Sequence, residues 1–163
     1  MIKFYLLSGT VRSGKTTSLQ EWLKSVSGAA GILAPVVRGK RYVLDILSGR
    51  KRLLDADQST ARILSIGPHR FDKKTFLWAR NVLFTAWEEK PPWLVIDEIG
   101  PLELSGQGLE PIIRTIVAQA YRQEHTRLIL VVRKSLIRQV YTYFKLPEDQ
   151  TKVIRMDDLP TLL

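Results

Sequence analysis

Residues 6–20 read LLSGTVRSGKTTSLQ. A short apolar run ends in glycine, and the spacing that follows is G-x-x-x-x-G-K-[ST], with Gly9, Gly14, Lys15 and Thr16 in the specified places. The flanks agree with such a loop. Ile2 to Ser8 is apolar and aromatic and ends at a glycine, which predicts a buried strand. From Gly14 to Ser25, Leu19, Trp22 and Leu23 fall at helical spacing. A strand, a glycine-bounded turn and a helix together build an anion cradle. The backbone N–H groups of Gly9, Thr10, Val11, Arg12, Ser13 and Gly14 turn inward, and the helix dipole favours negative charge at the same point. Gly14 lets the backbone approach without a Cβ in the way. In that cradle Lys15 bridges β- and γ-phosphates, Thr16 is a ligand for Mg²⁺, and Thr17 reaches the α-phosphate. Arg12 stands where many such loops have glycine. It either points to solvent or folds over the phosphates.

The second informative stretch is WLVIDEIGPLEL, Trp93 to Leu104. An apolar strand ending in Asp97 sets a carboxylate at the sheet edge where phosphates bind, able to hold a metal-bound water. Glu98 follows at once, and a carboxylate there can polarise an attacking water. Glu103 is as well explained by a surface salt bridge as by a role near a nucleotide. Thr16 and Asp97 lie 81 residues apart, whereas one strand–helix–strand unit takes about 30. The two strands are therefore not partners in one simple crossover, and an additional strand between them is expected by fold analogy. Arg133 closes the apolar run RLILVV, so its side chain emerges at the carboxyl edge, either solvated or as a cation near a γ-phosphate. Arg38 ends another extended run and carries the same two readings. No Asn/Thr-Lys-x-Asp signature occurs. Thr151-Lys152-Val153-Ile154 lacks the aspartate, so base preference should be loose.

The rest of the chain predicts alternating strands and helices. Gly31 to Val37 is extended and pairs with Arg41 to Leu47 around Gly39-Lys40, and a turn at Ser48-Gly49-Arg50 continues a small meander through Leu53-Leu54. Asp72 is an N-cap for a helix to Glu89, stopped by Pro91-Pro92. On it Trp78, Phe84 and Trp87 sit at core-packing intervals. Trp93 to Ile96 is a buried strand. Gln107 to Gln123 is the clearest helical pattern, with Pro111 in its first turn. Leu128 to Val132 is a strand, Lys134 to Phe144 a helix and Lys152 to Met156 a last strand. Continuous apolar strands between helices argue for a parallel sheet covered on both faces.

Composition narrows the class. The chain has 163 residues, 45% of them hydrophobic, enough for a single domain spanning 1–163 with a substantial core. There is no cysteine, which excludes disulfides and thiolate metal sites and suits a reducing cytoplasm. The longest nearly uncharged apolar run, Gly28 to Val37, contains Pro35 and is about half a membrane span, so no membrane association is expected. Lys and Arg outnumber Asp and Glu by 25 to 16, a net charge of +9. That suits polyanionic partners: a nucleoside triphosphate and, beyond it, weak nucleic-acid binding. The charges are scattered, and no aromatic-rich binding motif accompanies them, so solvated surface is the plainer reading. His69 and His125 are isolated histidines with no second metal ligand at useful spacing.

With these residues in view, the chain resembles the small P-loop nucleoside-triphosphatases first described from thermophiles, which include the cancer-related nucleoside-triphosphatase. The matching pieces are GTVRSGKTT, GILAPVVRGKRYVLDI, HRFDKKTFLWA, VIDEIGPLEL and LILVVR, in family order over roughly residues 2 to 135; DEIG followed by LEL is the most specific. Arg12 and Ala34 depart from the family's usual glycine and threonine. The resemblance implies an α/β P-loop fold, mainly parallel, with helices on both faces and a small β-meander insertion after the first helix. It also implies Lys15 and Thr16 on phosphates and Mg²⁺, Asp97 on the metal, Glu98 as water activator and Arg133 as sensor. The implied reaction is slow hydrolysis of ATP, GTP and other triphosphates to the diphosphate. Apart from the resemblance, a cytoplasmic monomer is expected. Passing the γ-phosphate to a small acceptor, or acting as a nucleotide-dependent switch, are the alternatives.

Overall fold

The computed structural model describes residues 1–10 and 14–163. Val11, Arg12 and Ser13, three of the expected phosphate contacts, lie outside the described residues. The chain opens with β1 (Phe4–Gly9) and α1 (Lys15–Leu23), and continues through β2 (Ala29–Leu33), β3 (Val36–Val37), β4 (Lys40–Asp45) and β5 (Lys51–Leu53). A hairpin of β6 (Ile63–Ile66) and β7 (His69–Asp72) leads into α2 (Lys73–Glu88). Then come β8 (Trp93–Ile99), α3 (Pro101–Leu104), α4 (Ile112–Ala120), β9 (Arg127–Arg133), α5 (Ile137–Phe144) and β10 (Thr151–Ile154). The main sheet runs β10-β1-β9-β8-β2-β4-β3, with β5 on β4. Strands β10 through β2 are mutually parallel, and β4 turns the sheet antiparallel at the β2 side. As the spacing argument anticipated, β9 stands between the loop strand β1 and the acidic strand β8.

Alternation along the parallel strands divides the core between two faces. Phe4, Leu6, Ile32, Leu94, Ile96 and Leu130 pack against α2, α4 and α5. Tyr5, Leu7, Leu33, Val95, Ile129 and Val131 pack against Leu19 and Trp22 of α1 and Leu159 of the C-terminal 3₁₀ segment Met156–Leu162. Each fully buried Leu, Ile or Phe contributes about 1.5–3 kcal/mol. β2 and β8 approach so closely that a Cβ on Gly31, at φ +117°, would overlap the Val95 carbonyl. Only glycine fits there.

Local signals place several elements as expected. Asp72 caps α2, accepting from the Lys74 N–H at 2.9 Å, and Val37 pairs with Lys40 across the Arg38-Gly39 turn. Several details differ. The predicted helix Gln107–Gln123 contracts to Ile112–Ala120, because Pro111 is its N-cap and the preceding residues fold back on α3. There Gln107 N–H donates to the Leu102 carbonyl and Leu109 N–H to the Glu103 carboxylate. Lys134–Leu136 is a 3₁₀ turn before α5, and Met156, expected to end the last strand, opens the 3₁₀ segment. Phe84 is 52% exposed rather than core. Neither the β6–β7 hairpin nor α3 was anticipated.

Candidate active site

Parallel pairing brings the carboxyl ends of β1, β9, β8 and β2 to one edge; Gly9 is opposite Arg133, and Ile99 opposite Val132. Ligands of open α/β sheets bind at this edge. The N-terminus of α1 begins there with Gly14 at φ +84°. An L-residue pays for that left-handed conformation, which is the local reason for glycine. Lys15 is buried, and its Nζ donates to the carbonyls of Thr10 at 2.9 Å and Gly9 at 3.4 Å.

Thr16 Oγ1 donates to Asp97 Oδ2 at 2.6 Å, and the Ala34 N–H donates to the same oxygen at 3.0 Å. Burial pushes the Asp97 carboxyl up to about 6, in spite of these two hydrogen bonds; Glu98 adds to the rise and Lys15 opposes it. A hydroxyl and a carboxylate in direct contact are hard oxygen donors, the kind Mg²⁺ prefers. Among the described residues no group of three His, Cys, Asp or Glu could hold a metal. A dication here would take its remaining ligands from phosphate and water, the usual arrangement for Mg²⁺.

Glu98 is half-buried, and its Oε1 lies 3.8 Å from Arg41 Nη1. Lys15, Thr16, Thr17, Asp97, Glu98 and Arg133 all line one open cleft of about 800 Å³. The structure therefore brings together the described residues expected to act. Other expectations fall elsewhere. Arg38 is exposed in the β3–β4 turn at φ +51° and does not line the cleft. Glu103 is not a surface ion pair, and it does not line the cleft. It is buried, with Oε1 accepting from the Gly100 N–H at 2.9 Å and Oε2 from the Leu109 N–H at 3.1 Å. Burial raises its carboxyl to about 7 against those bonds. His125 is exposed; His69 is exposed at the cleft's rim. In the basic clusters Lys51 sits over Tyr42 and Arg52 over Trp78.

Arg41 is the residue the sequence reading missed. On β4 it shares a side with Val43, which faces the α2 core, and that alternation carries its guanidinium to Glu98. The available signal was the strand period, two residues back from a buried valine.

A family model described as NTPase matches residues 4–157. No curated protein matches the sequence. Among solved structures, THEP1 from the hyperthermophile Aquifex aeolicus is similar with a TM-score of 0.73 and 20% identity, over 100% of this chain and 97% of that one. A human cancer-related nucleoside triphosphatase is similar with a TM-score of 0.65 and 23% identity, over 99% and 94%. Both likenesses are of fold, at the level the strand order already indicated. The family match covers nearly the whole chain, loop and acidic strand included, and the chain belongs to this NTPase family.

Proposed function

We propose that residues 1–163 form one domain that binds a nucleoside triphosphate with Mg²⁺ and hydrolyses its β–γ bond, Glu98 activating the water. The observation that carries this is the 2.6 Å contact between Thr16 and Asp97, with Lys15 on one side and Glu98 on the other in a single cleft. Lys15 holds the β- and γ-phosphates at the helix N-terminus, where the loop's N–H groups favour anions. Thr16 and Asp97 would hold the metal ion, which when bound neutralises charge on the phosphate oxygens. Glu98 takes a proton from water as that oxygen attacks the γ-phosphorus. The bond from the γ-phosphorus to the bridging oxygen breaks, and its electron pair leaves with the diphosphate. Arg133, at the same edge, offsets charge that builds up on the γ-phosphoryl oxygens.

Base preference is loose in this reading. The residue run nearest to a guanine signature, Thr151 to Ile154, is a strand, and Thr151 pairs with Phe4 at the end of β1 away from the loop. The absence of cysteine fits a reducing cytoplasm, and no helix among the described residues is long and apolar enough to cross a membrane. We place the reaction in the cytoplasm, on a monomer.

The test is phosphate release from ATP, GTP, CTP and UTP with Mg²⁺, beside nucleotide affinity by calorimetry. Glu98→Gln should keep affinity and lose about 10²–10⁴-fold in rate. Equal rates in Glu98→Gln and wild type would remove Glu98 from the chemistry.

A further inference from the structure

Hydrolysis uses only one face of Glu98. On the other side lies a second cavity of about 300 Å³, walled by Val43, Leu54, Ile66, Phe71, Phe76 and Leu109. Most of these walls belong to the core on the α2 face of the sheet, whereas α1 and its loop stand on the opposite face. The two spaces meet only at the strand ends: Ala34, Arg41, His69, Asp97, Glu98 and Arg133 line both. The cavity is therefore mainly apolar in its depth, where the buried Glu103 also lines it, and polar at its mouth, which is the catalytic edge of the proposed reading.

A triphosphatase that needs only water has no use for such a space. Apolar walls give water too few hydrogen-bond partners, and a water needs only a small fraction of this volume. Apolar clefts with a few convergent polar groups are the usual form of small-molecule sites. The nucleotide's own base does not account for it. With the γ-phosphate nearest Glu98, the base lies at the far end of the triphosphate. Whatever fills the cavity meets the γ-phosphoryl group instead.

We infer that the cavity is the site of a second substrate, a small primary alcohol with an aromatic or alicyclic body, and that the enzyme transfers the γ-phosphoryl group to its hydroxyl. This rests on the triphosphate reading of the cleft. The ring occupies the space between Val43, Leu54 and Phe76, and the hydroxyl comes to the mouth beside Glu98. There the hydroxyl oxygen supplies the electron pair of the new bond to the γ-phosphorus. The bond to the β,γ-bridging oxygen breaks and its pair leaves with the diphosphate. The hydroxyl proton passes to Glu98 and then to solvent. Triphosphate and alcohol give diphosphate, a phosphomonoester and a proton. Water then reacts in place of the alcohol when the cavity is unfilled, which makes hydrolysis the slow reaction.

The test incubates the full chain with ATP and Mg²⁺ and, one at a time, benzyl alcohol, 2-phenylethanol, cyclohexylmethanol and 4-pyridylmethanol. Phosphorus NMR reads ester against free phosphate, and saturation-transfer NMR reads alcohol binding. At least one alcohol should bind and form ester. Ile66→Trp narrows the cavity from the β6 side without touching the nucleotide cleft. It should cut ester formation about tenfold or more while phosphate release without alcohol stays unchanged; Leu54→Phe, on another wall, repeats the measurement. Phosphate release with no ester and no alcohol binding overturns the inference and leaves the hydrolase reading intact. Ester formation unchanged in both folded variants also overturns it, since the alcohol then attacks from bulk solvent. A wild type that neither binds ATP nor releases phosphate sinks both readings.

Discussion

The two sides of the catalytic edge are built differently. On the loop side Asp97 is 3% exposed and its Oδ2 takes two hydrogen bonds, from the Thr16 hydroxyl at the start of α1 and from the Ala34 N–H. On the cavity side Glu98, the next residue, meets Arg41 at 3.8 Å with about a quarter of its side chain in solvent. The wall beyond is apolar. Binding a metal and phosphates calls for donors fixed in advance. In the proposed reading Glu98 must accept a proton and release it to solvent, and it is held by fewer bonds than Asp97.

That contrast can be broken in three places. The largest effect is expected at Arg133. If it neutralises transition-state charge, Arg133→Ala should lower phosphate release by about 10³-fold with a much smaller change in nucleotide affinity; equal losses in rate and affinity would make it only a binding residue.

Next comes Glu103, a buried carboxyl on the cavity's wall. Burial raises it from the ordinary 4.5 to about 7 in the folded protein. The folded state therefore holds the proton more tightly, and the resulting stability is complete below about 4.5 and is lost as pH rises to about 7. The span corresponds to about 3 kcal/mol. Urea unfolding of the wild type should show this decline, and Glu103→Gln should flatten it. The variant should also be destabilised at low pH by about 1–3 kcal/mol, because an amide N–H₂ cannot accept from the second backbone N–H. A variant with the wild-type slope would assign the titration to another group.

The smallest effect is expected at Arg41. Its pair with Glu98 is long and partly solvated, so Arg41→Ala should shift unfolding by no more than about 1 kcal/mol. Its loss in rate should fall below that of Arg133→Ala. The opposite order would make Arg41 the cation that matters to the γ-phosphate.

What could be read beforehand was local. The apolar strands and the Asp72 cap each depend on a few adjacent residues; the cap appears where the pattern put it and the strands within a few residues. The intervening strand followed from a distance along the chain. Arg41, Glu103 and the second cavity were not legible in that way. Arg41 reaches Glu98 only because β4 pairs antiparallel with β2, and that pairing sets which side chains turn inward. Glu103 is buried because Gln107 to Glu110 fold back over α3 instead of starting the next helix, which the periodic pattern after Gln107 concealed. The cavity needs β4, the β6–β7 hairpin, α2 and α3 at once. Its hairpin went unread although Gly67-Pro68 is a turn signal.

The position of β9 has a consequence for the order in which the molecule comes into being. The loop is made within the first 16 residues and the acidic pair by residue 98, yet β1 and β8 do not pair with each other; each pairs with β9, residues 127–133. A chain emerging from the ribosome carries both halves of its nucleotide site well before the strand that aligns them exists. Closing contacts of such sequence separation is slow relative to local ones. In the proposed reading, nucleotide therefore meets an aligned site only once β9 is in place, with residues 134–163 still to follow.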